Sequence, residues 1–250
     1  DFQRAGLSFR KTHNICWSGG RGSGKTTGAQ LACLAHCHEY GPGARPLVTR
    51  ESHAGLLEVM GEIHARCVAA FGGCDRNKAE GTLTLPNGAV VSFTNLSDDD
   101  SYAKHQGKTY TMLVGEEVGN YTPNAFRLWH RLRSNLRVPA GRRPEIHVTC
   151  NPHGRAHTLV FKAWTGRAPA WSPFVDEFGA GWVWVHGTYR DNPHVNQEDY
   201  ERQLLASAGG DRALAEAWLE GSWLTLGGNM FDTFDPAIHL LDGRPNIEFV

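Results

Sequence analysis

Apolar and β-branched residues of this 250-residue chain gather in short blocks: Asn14-Ile15-Cys16-Trp17, Pro46-Leu47-Val48-Thr49, Tyr110 to Val114, Glu145 to Cys150, and Trp182 to His186. Such blocks, bounded by turn residues, read as buried strands. The segments between them carry helical spacing. Thr26 to Glu39 lacks proline and puts Leu31, Leu34 and Ala35 on one face. A segment capped by Ser52 does the same with Leu56, Val59, Ile63 and Cys67, and stops at Gly72-Gly73. Helices are also predicted over Asn124 to Arg137, Glu198 to Leu205 and Arg212 to Leu219. An Asn87-Gly88 turn between two β-rich runs, Thr82 to Leu85 and Ala89 to Phe93, predicts a hairpin. Residues 1–13 are polar and without a clear period. Residues 97–108 read as a solvated loop or a helix start, because the adjacent carboxylates of Asp98, Asp99 and Asp100 diverge instead of converging on a metal. Strands alternating with helices predict an α/β fold with a mainly parallel central sheet flanked by helices.

One loop in this pattern carries chemistry. Ser18-Gly19-Gly20-Arg21-Gly22-Ser23-Gly24-Lys25-Thr26-Thr27 fits G-x-x-x-x-G-K-[ST] and lies between the first predicted strand and the first long helix. Glycines let the backbone curl so that successive N–H groups point at a polyphosphate, and the helix adds its positive end. The expected nucleotide-binding residues are Gly19, Gly20, Arg21, Gly22, Ser23, Gly24, Lys25, Thr26 and Thr27. Lys25 would reach the β- and γ-phosphates, and the Thr26 hydroxyl would ligate Mg²⁺. The strand from Tyr110 ends in Glu116-Glu117, the form of a Walker B motif, in which the first acid serves the Mg²⁺ shell and the second polarises the attacking water. The strand from Glu145 ends near Thr149 and Asn151, and polar groups at a strand's carboxyl end lie beside the ligand in open α/β sheets. Gln3, Arg4 and Arg10 are candidates to grip a base, with a plain solvated segment as the alternative.

Composition narrows the partners. Net charge is -1, so no global basic field announces nucleic acid. The one basic stretch runs from Arg127 to Arg143 and includes Arg131, Arg133 and Arg137; it reads either as a contact to DNA phosphates or a neighbour's nucleotide, or as a solvated face. No apolar run is long enough for a membrane span. Cys33, His36 and Cys37 share a helix face, but no fourth ligand at zinc-like spacing accompanies them, and a packed core reading is preferred.

The finer pattern resembles the ATPase domain of the large terminase subunit, the DNA-packaging motor of tailed bacteriophages. The resemblance is carried by the P-loop with Arg21 inside it, by Val114-Gly115-Glu116-Glu117, by Thr149-Cys150-Asn151-Pro152, and by Tyr189 through Pro193 followed by Leu219-Glu220-Gly221-Ser222-Trp223 and Gly227 to Phe231. It implies a P-loop NTPase of RecA-like (ASCE) type, with residues 1–222 as the motor domain and 223–250 as a linker toward a nuclease domain beyond this chain. It implies ATP and Mg²⁺ as cofactors. Partners would be double-stranded DNA, a portal protein and the small terminase subunit. The ring would be homo-oligomeric on the portal and the isolated chain a monomer in the host cytoplasm. By the same resemblance Glu117 activates water, Arg21 stabilises γ-phosphate charge in cis, and Thr149 and Asn151 couple hydrolysis to movement. Two departures stand out: Glu116 replaces the usual aspartate, and Gln106-Gly107 stands where some terminases carry a trans-acting Arg-Gly. Lys104, Lys108 or an arginine between Arg127 and Arg143 would then substitute. The competing readings are a helicase-like translocase, which needs a second RecA-like lobe, and a nucleotide-gated assembly module without turnover.

Overall fold

The computed structural model describes residues 2–223. Of the expected linker, only Trp223 lies within that range, and the Gly227 to Phe231 segment lies outside it. The chain runs α1 (Phe2–Leu7), β1 (Asn14–Gly19), α2 (Lys25–Tyr40), β2 (Pro46–Arg50), α3 (His53–Phe71), β3 (Asp75–Asn77), β4 (Thr82–Thr84), β5 (Val90–Asn95), α4 (Asp99–Ala103), β6 (Met112–Gly115), α5 (Pro123–Arg131), β7 (Glu145–Thr149), α6 (His157–Val160), β8 (Phe174–Val175), β9 (Gly181–Gly187), α7 (Gln197–Ser207) and α8 (Arg212–Glu220). A 9-stranded sheet has the order β3-β4-β5-β2-β6-β7-β1-β9-β8. Its inner strands, from β5 across to β9, are parallel, and β3, β4 and β8 are antiparallel additions at the edges.

Strand alternation sorts the core into two layers. Ile15 and Trp17 of β1, Val48, Val114, Val183 and Val185 face α2 and α3, where they meet Ala29, Cys33, Val59 and Ile63. Cys16, Leu47, Leu113, Val148 and Trp182 face the other way, onto Phe126, Leu128 and Trp129 of α5 and onto Trp164. Trp17 is fully buried, and its ring sits where Gly6 and Gly28 leave room for it. Ser52 caps α3 by accepting from the Gly55 N–H, and Gly72 ends the helix at φ 75°. The Asn87-Gly88 hairpin forms as β4–β5, and β5 then pairs in parallel with β2, so the hairpin widens the main sheet.

Several segments depart from the sequence expectation for local reasons. Residues 2–7 are helical, and Phe2 is buried edge-on against Trp17 with ring centroids 5.7 Å apart; one turn and a half is too short to show a period. Asp98 and Ser101 form a reciprocal capping box, so the acidic run starts α4. The helix predicted to Arg137 ends at Arg131 and passes through a 3-10 turn, Leu132–Asn135. There the Asn135 amide donates to His105 O at 2.6 Å and Lys108 O at 2.9 Å, and the chain leaves to run beside Tyr110. Between Asn151 and Trp182 the sequence pattern predicts no element, yet α6 continues into a π-helical turn, Phe161–Thr165, that seats Trp164 in the second core layer.

Candidate functional site: a phosphate-binding loop facing two carboxylates

The carboxyl ends of β1, β7 and β6 lie side by side, with β7 in the middle. This order decides the chemistry, because residues at the end of β7 touch the loop after β1 and the acids after β6. The β1 loop turns through Gly19 (φ 120°), Gly22 (φ 76°) and Gly24 (φ 85°) into α2. A Cβ on Gly19 would sit 2.0 Å from Gly187 O, so close approach to β9, besides backbone angle, requires glycine there. The Gly20 and Arg21 N–H groups donate to Gly187 O (2.9 Å) and Trp218 O (2.7 Å). Those two amides, both expected among the nucleotide-binding residues, are therefore already used inside the fold.

Lys25 is folded onto this loop. Its Nζ donates to Gly20 O, to Ser23 Oγ at 3.1 Å and to Gly19 O at 3.4 Å. Burial pushes its pKa down to about 8, against the pull of Glu116 and Glu117. Thr26 Oγ1 donates to Glu116 Oε1 at 2.5 Å, and Thr149 Oγ1 donates to the other oxygen, Oε2, at 2.8 Å. Glu116 is 2 % exposed, and desolvation raises its pKa to about 7 in spite of both hydroxyls. Glu117 adopts left-handed backbone angles (φ 51°, ψ 43°), and its N–H donates to Thr149 Oγ1 at 2.8 Å. Its carboxylate accepts from Arg50 Nη2 at 2.7 Å and from Asn120 Nδ2 at 3.3 Å. Thr149 therefore touches both acids through one oxygen. Gly115, just before them, is small because Trp129 and Val118 fill the space a Cβ would need.

Lys25, Thr26, Glu117, Asn120 and Thr149 line a cleft of about 540 Å³ that also takes in Arg21, Asn151 and Trp218, with Glu116 buried behind it. The Arg21 guanidinium stacks over the Trp218 ring at 3.9 Å. Asn151 Oδ1 is buried without a hydrogen-bond partner. Beyond Gly24 a second cleft of about 960 Å³ opens between Gln3, Leu7, Thr27, Leu31, Asn192 and Pro193. Gln3 Nε2 donates to Ser23 O (3.3 Å) and Gly24 O (3.4 Å), and Asn192 Nδ2 donates to Gly22 O at 2.7 Å. Arg4 lines this cleft, but Arg10 does not: it is buried elsewhere against Glu145 and Glu39.

The basic stretch is not one patch. Arg127 and Arg131 face Asp99, Arg133 bonds Asp176, and Arg137 bonds Thr109. Arg142 stacks on Tyr40 and Arg143 holds the carbonyls of Arg10 and His13. Lys104 follows α4, and the Lys108 carbonyl serves Asn135. On α2, His36 is held between Glu145 and Thr111, and Cys33 and Cys37 are in the core. Sequence reasoning missed Arg50 and Trp218. Arg50 had a signal, a cation at the carboxyl end of a parallel strand; Trp218 had none, because its role depends on how α8 packs on the loop.

The strand order and the loop define the class, a P-loop NTPase fold of RecA-like type with a strand between the loop strand and the acidic strand. Within that class the chain belongs to the family described as terminase large subunit, T4likevirus-type, N-terminal, which matches residues 16–238. It is similar to the large terminase subunit of Escherichia phage T5, 26 % identical over 168 residues, spanning 66 % of this chain and 34 % of that protein. The fold is that of the large terminase of a thermophilic bacteriophage solved in complex with ADP, with TM-score 0.66 and 16 % identity over 92 % of this chain and 53 % of the other. It also matches the ATPase domain of the large terminase of Thermus phage P74-26, with TM-score 0.56 and 12 % identity, covering 89 % and 93 % of the two chains. The chain thus spans about a third to a half of the longer relatives. No helix among the described residues is long and apolar enough to cross a membrane.

Proposed function

We propose that this chain is the motor domain of a large terminase: it hydrolyses ATP with Mg²⁺ and drives double-stranded viral DNA into a procapsid. The observation that carries the reading is the Thr149 hydroxyl, which ties Glu116, Glu117 and, through Glu116, the P-loop Thr26 into one linked set. Hard oxygen donors at Thr26 and Glu116 suit Mg²⁺, and the raised pKa of Glu116 marks a buried carboxylate short of positive charge. When bound, the ion would offset charge on the phosphate oxygens. The chain's own residues do the rest. The amides of Gly22 to Thr27 and the ammonium of Lys25 hold the phosphates, with Lys25 exchanging loop carbonyls for phosphate oxygens. Arg21 lies on the cleft wall, and in this reading it stabilises charge on the γ-phosphate. Glu117 orients the water that attacks the γ-phosphorus and accepts its proton as the bond to the ADP oxygen breaks. The cleft at Gln3, Leu31 and Pro193 takes the adenine. The terminase of the thermophilic phage was solved with ADP, and another structure of it with ATP-gamma-S, which supports nucleotide as the ligand.

Residues 1–222 form the motor unit in this reading, and 223–250 lead toward the nuclease domain. DNA is met through backbone phosphates, since packaging ignores sequence. Portal, small subunit and neighbouring copies in a ring complete the assembly in the host cytoplasm, and Asn151 couples hydrolysis to movement. Among the described residues there is a single sheet, without the second lobe a helicase-like translocase needs.

The test is steady-state ATP hydrolysis with nucleotide affinity measured in parallel over a wide range of protein concentration. Lys25→Ala loses nucleotide binding. Glu117→Ala binds nucleotide but turns over ~10²- to 10⁴-fold more slowly. Wild-type turnover by Glu117→Ala at every concentration would overturn the assignment.

A further inference from the structure

One groove lies away from the two clefts at the phosphate-binding loop and shares no lining residue with them. It measures about 1080 Å³ and runs between α5 and the α6–π-helical segment. Its floor is apolar: Phe126, Leu159, Ala163 and Phe178. Phe178, at the tip of the β8–β9 hairpin, is 73 % exposed and joins Phe126, Leu159 and Ala163 in one contiguous apolar lining, which marks a site where a lone exposed ring would not. The rim carries Arg127, Arg131, Arg133, Lys162 and Arg167 against one lining acid, Glu177. Asp99 lies 3.6 Å from Arg127 and 3.9 Å from Arg131, Asp176 holds Arg133 at 3.1 Å, and Glu177 holds Arg167 at 3.2 Å. The Arg133 guanidinium also lies over the Phe178 ring at 5.6 Å.

The geometry points to a docking groove for an acidic amphipathic helix of a partner protein. Two helical segments side by side with an apolar trough between them fit the helix-in-groove mode, in which side chains one turn apart fill the trough. The cationic rim then selects carboxylates on the flanks of the incoming helix. Duplex DNA is the poorer match, because a phosphate backbone leaves the apolar lining unfilled, whereas the rim, with five cations against Asp99, Asp176 and Glu177, keeps a net positive charge for the flanks of a helix whose apolar face fills it. Because the groove and the nucleotide clefts are separate, both can be filled at once, and the failure of either reading leaves the other standing.

The probe is a fluorescein-labelled synthetic peptide of about five helical turns, with Leu and Phe at i, i+4 and i+7 spacing and Glu on both flanks. Its scrambled isomer and a short DNA duplex serve as competitors. Anisotropy of wild type is expected to rise with the amphipathic peptide at least ~10-fold more tightly than with the scrambled one, about 1.4 kcal/mol. Phe178→Ala and Arg167→Glu, both at the surface, lose that preference while nucleotide affinity stays at the wild-type value. Equal binding of the scrambled peptide overturns the proposal. So does a duplex that displaces the probe with the same dependence on Phe178 and Arg167. Sedimentation showing self-association that Phe178→Ala abolishes would assign the groove to a second copy of this chain and likewise end the proposal.

Discussion

Thr149 shows how much one hydroxyl decides at this site. It donates to Glu116 Oε2 and accepts from the Glu117 N–H, both at 2.8 Å, while 2 % exposed. Thr149→Val keeps the shape of the side chain and removes both bonds, leaving a buried carboxylate oxygen and an amide to find other partners. A lost buried bond of this kind costs ~1–3 kcal/mol. The expected outcome is a modest fall in denaturation midpoint, a near-normal nucleotide affinity, and a large loss of turnover. Turnover within a few-fold of wild type would mean that Thr149 merely packs between the strands. Arg50 poses a different problem, because its ion pair with Glu117 is visible only once β2 and the turn after β6 are brought together. The sequence marked Lys25, Thr26, Glu116 and Glu117 because each occupies a fixed place in a local pattern. Arg50 had only the weak signal of a cation at a strand's carboxyl end, Asn192 sat in the Tyr189 to Pro193 run without an assigned contact, and Trp218 stood in no pattern, so their contacts were legible only in three dimensions.

Elements show the same division. The strands and long helices follow from periodicity, because two-sided burial and one-sided burial leave different repeats. Short elements such as α1, β3, α6 and β8 are held by neighbours, so nothing local announces them. Glycines inside helices give a sharp test of element against packing. Gly28 in α2 faces the Trp17 ring, where a Cβ would lie 2.6 Å from Cζ3, whereas Gly61 in α3 has nothing within 4 Å of an added Cβ. Each Gly→Ala gains up to ~1 kcal/mol of helix propensity. At Gly61 that gain stands alone, and Gly61→Ala should raise stability by ~0.5–1 kcal/mol. At Gly28 the ring is fully buried and boxed in by Gly6 and Phe2, so overpacking of ~1–3 kcal/mol outweighs the propensity gain. Urea denaturation of the two variants should therefore move the midpoints in opposite directions. A Gly28→Ala variant as stable as Gly61→Ala would show that Trp17 has room the packing does not indicate.

At the scale of the whole molecule, buried and half-buried histidines set the response to acid. Burial pushes His130 down to about 4, helped by Arg133, and His105 down to about 4, helped by Lys108 and Lys104. His147 is also held below its ordinary value by burial, which outweighs the neighbouring Glu145. No local pattern singled these rings out, His105 falling within the polar run 97–108, since their neutrality comes from Trp164, Tyr110 and Trp17 around them. The folded pKa values lie below the unfolded value of about 6.5, so between those limits the unfolded chain binds more protons. Stability is therefore whole above pH ~6.5 and declines as pH falls toward 4, by up to about 1.4 kcal/mol per pH unit for each histidine in its window. Glu116 acts in the opposite sense: its folded value of about 7 lies above the unfolded one, so it gains stability on acidification and offsets about one histidine. The net expectation is a fall in urea midpoint from pH 7 to pH 5 without nucleotide. His130→Phe keeps a ring against Trp164, stacked 5.8 Å away in the wild type, while removing one titrating group, and should flatten the dependence. A wild-type midpoint that stays level from pH 7 to pH 5, or a His130→Phe profile as steep as wild type, would show that these rings are protonated inside the fold without penalty.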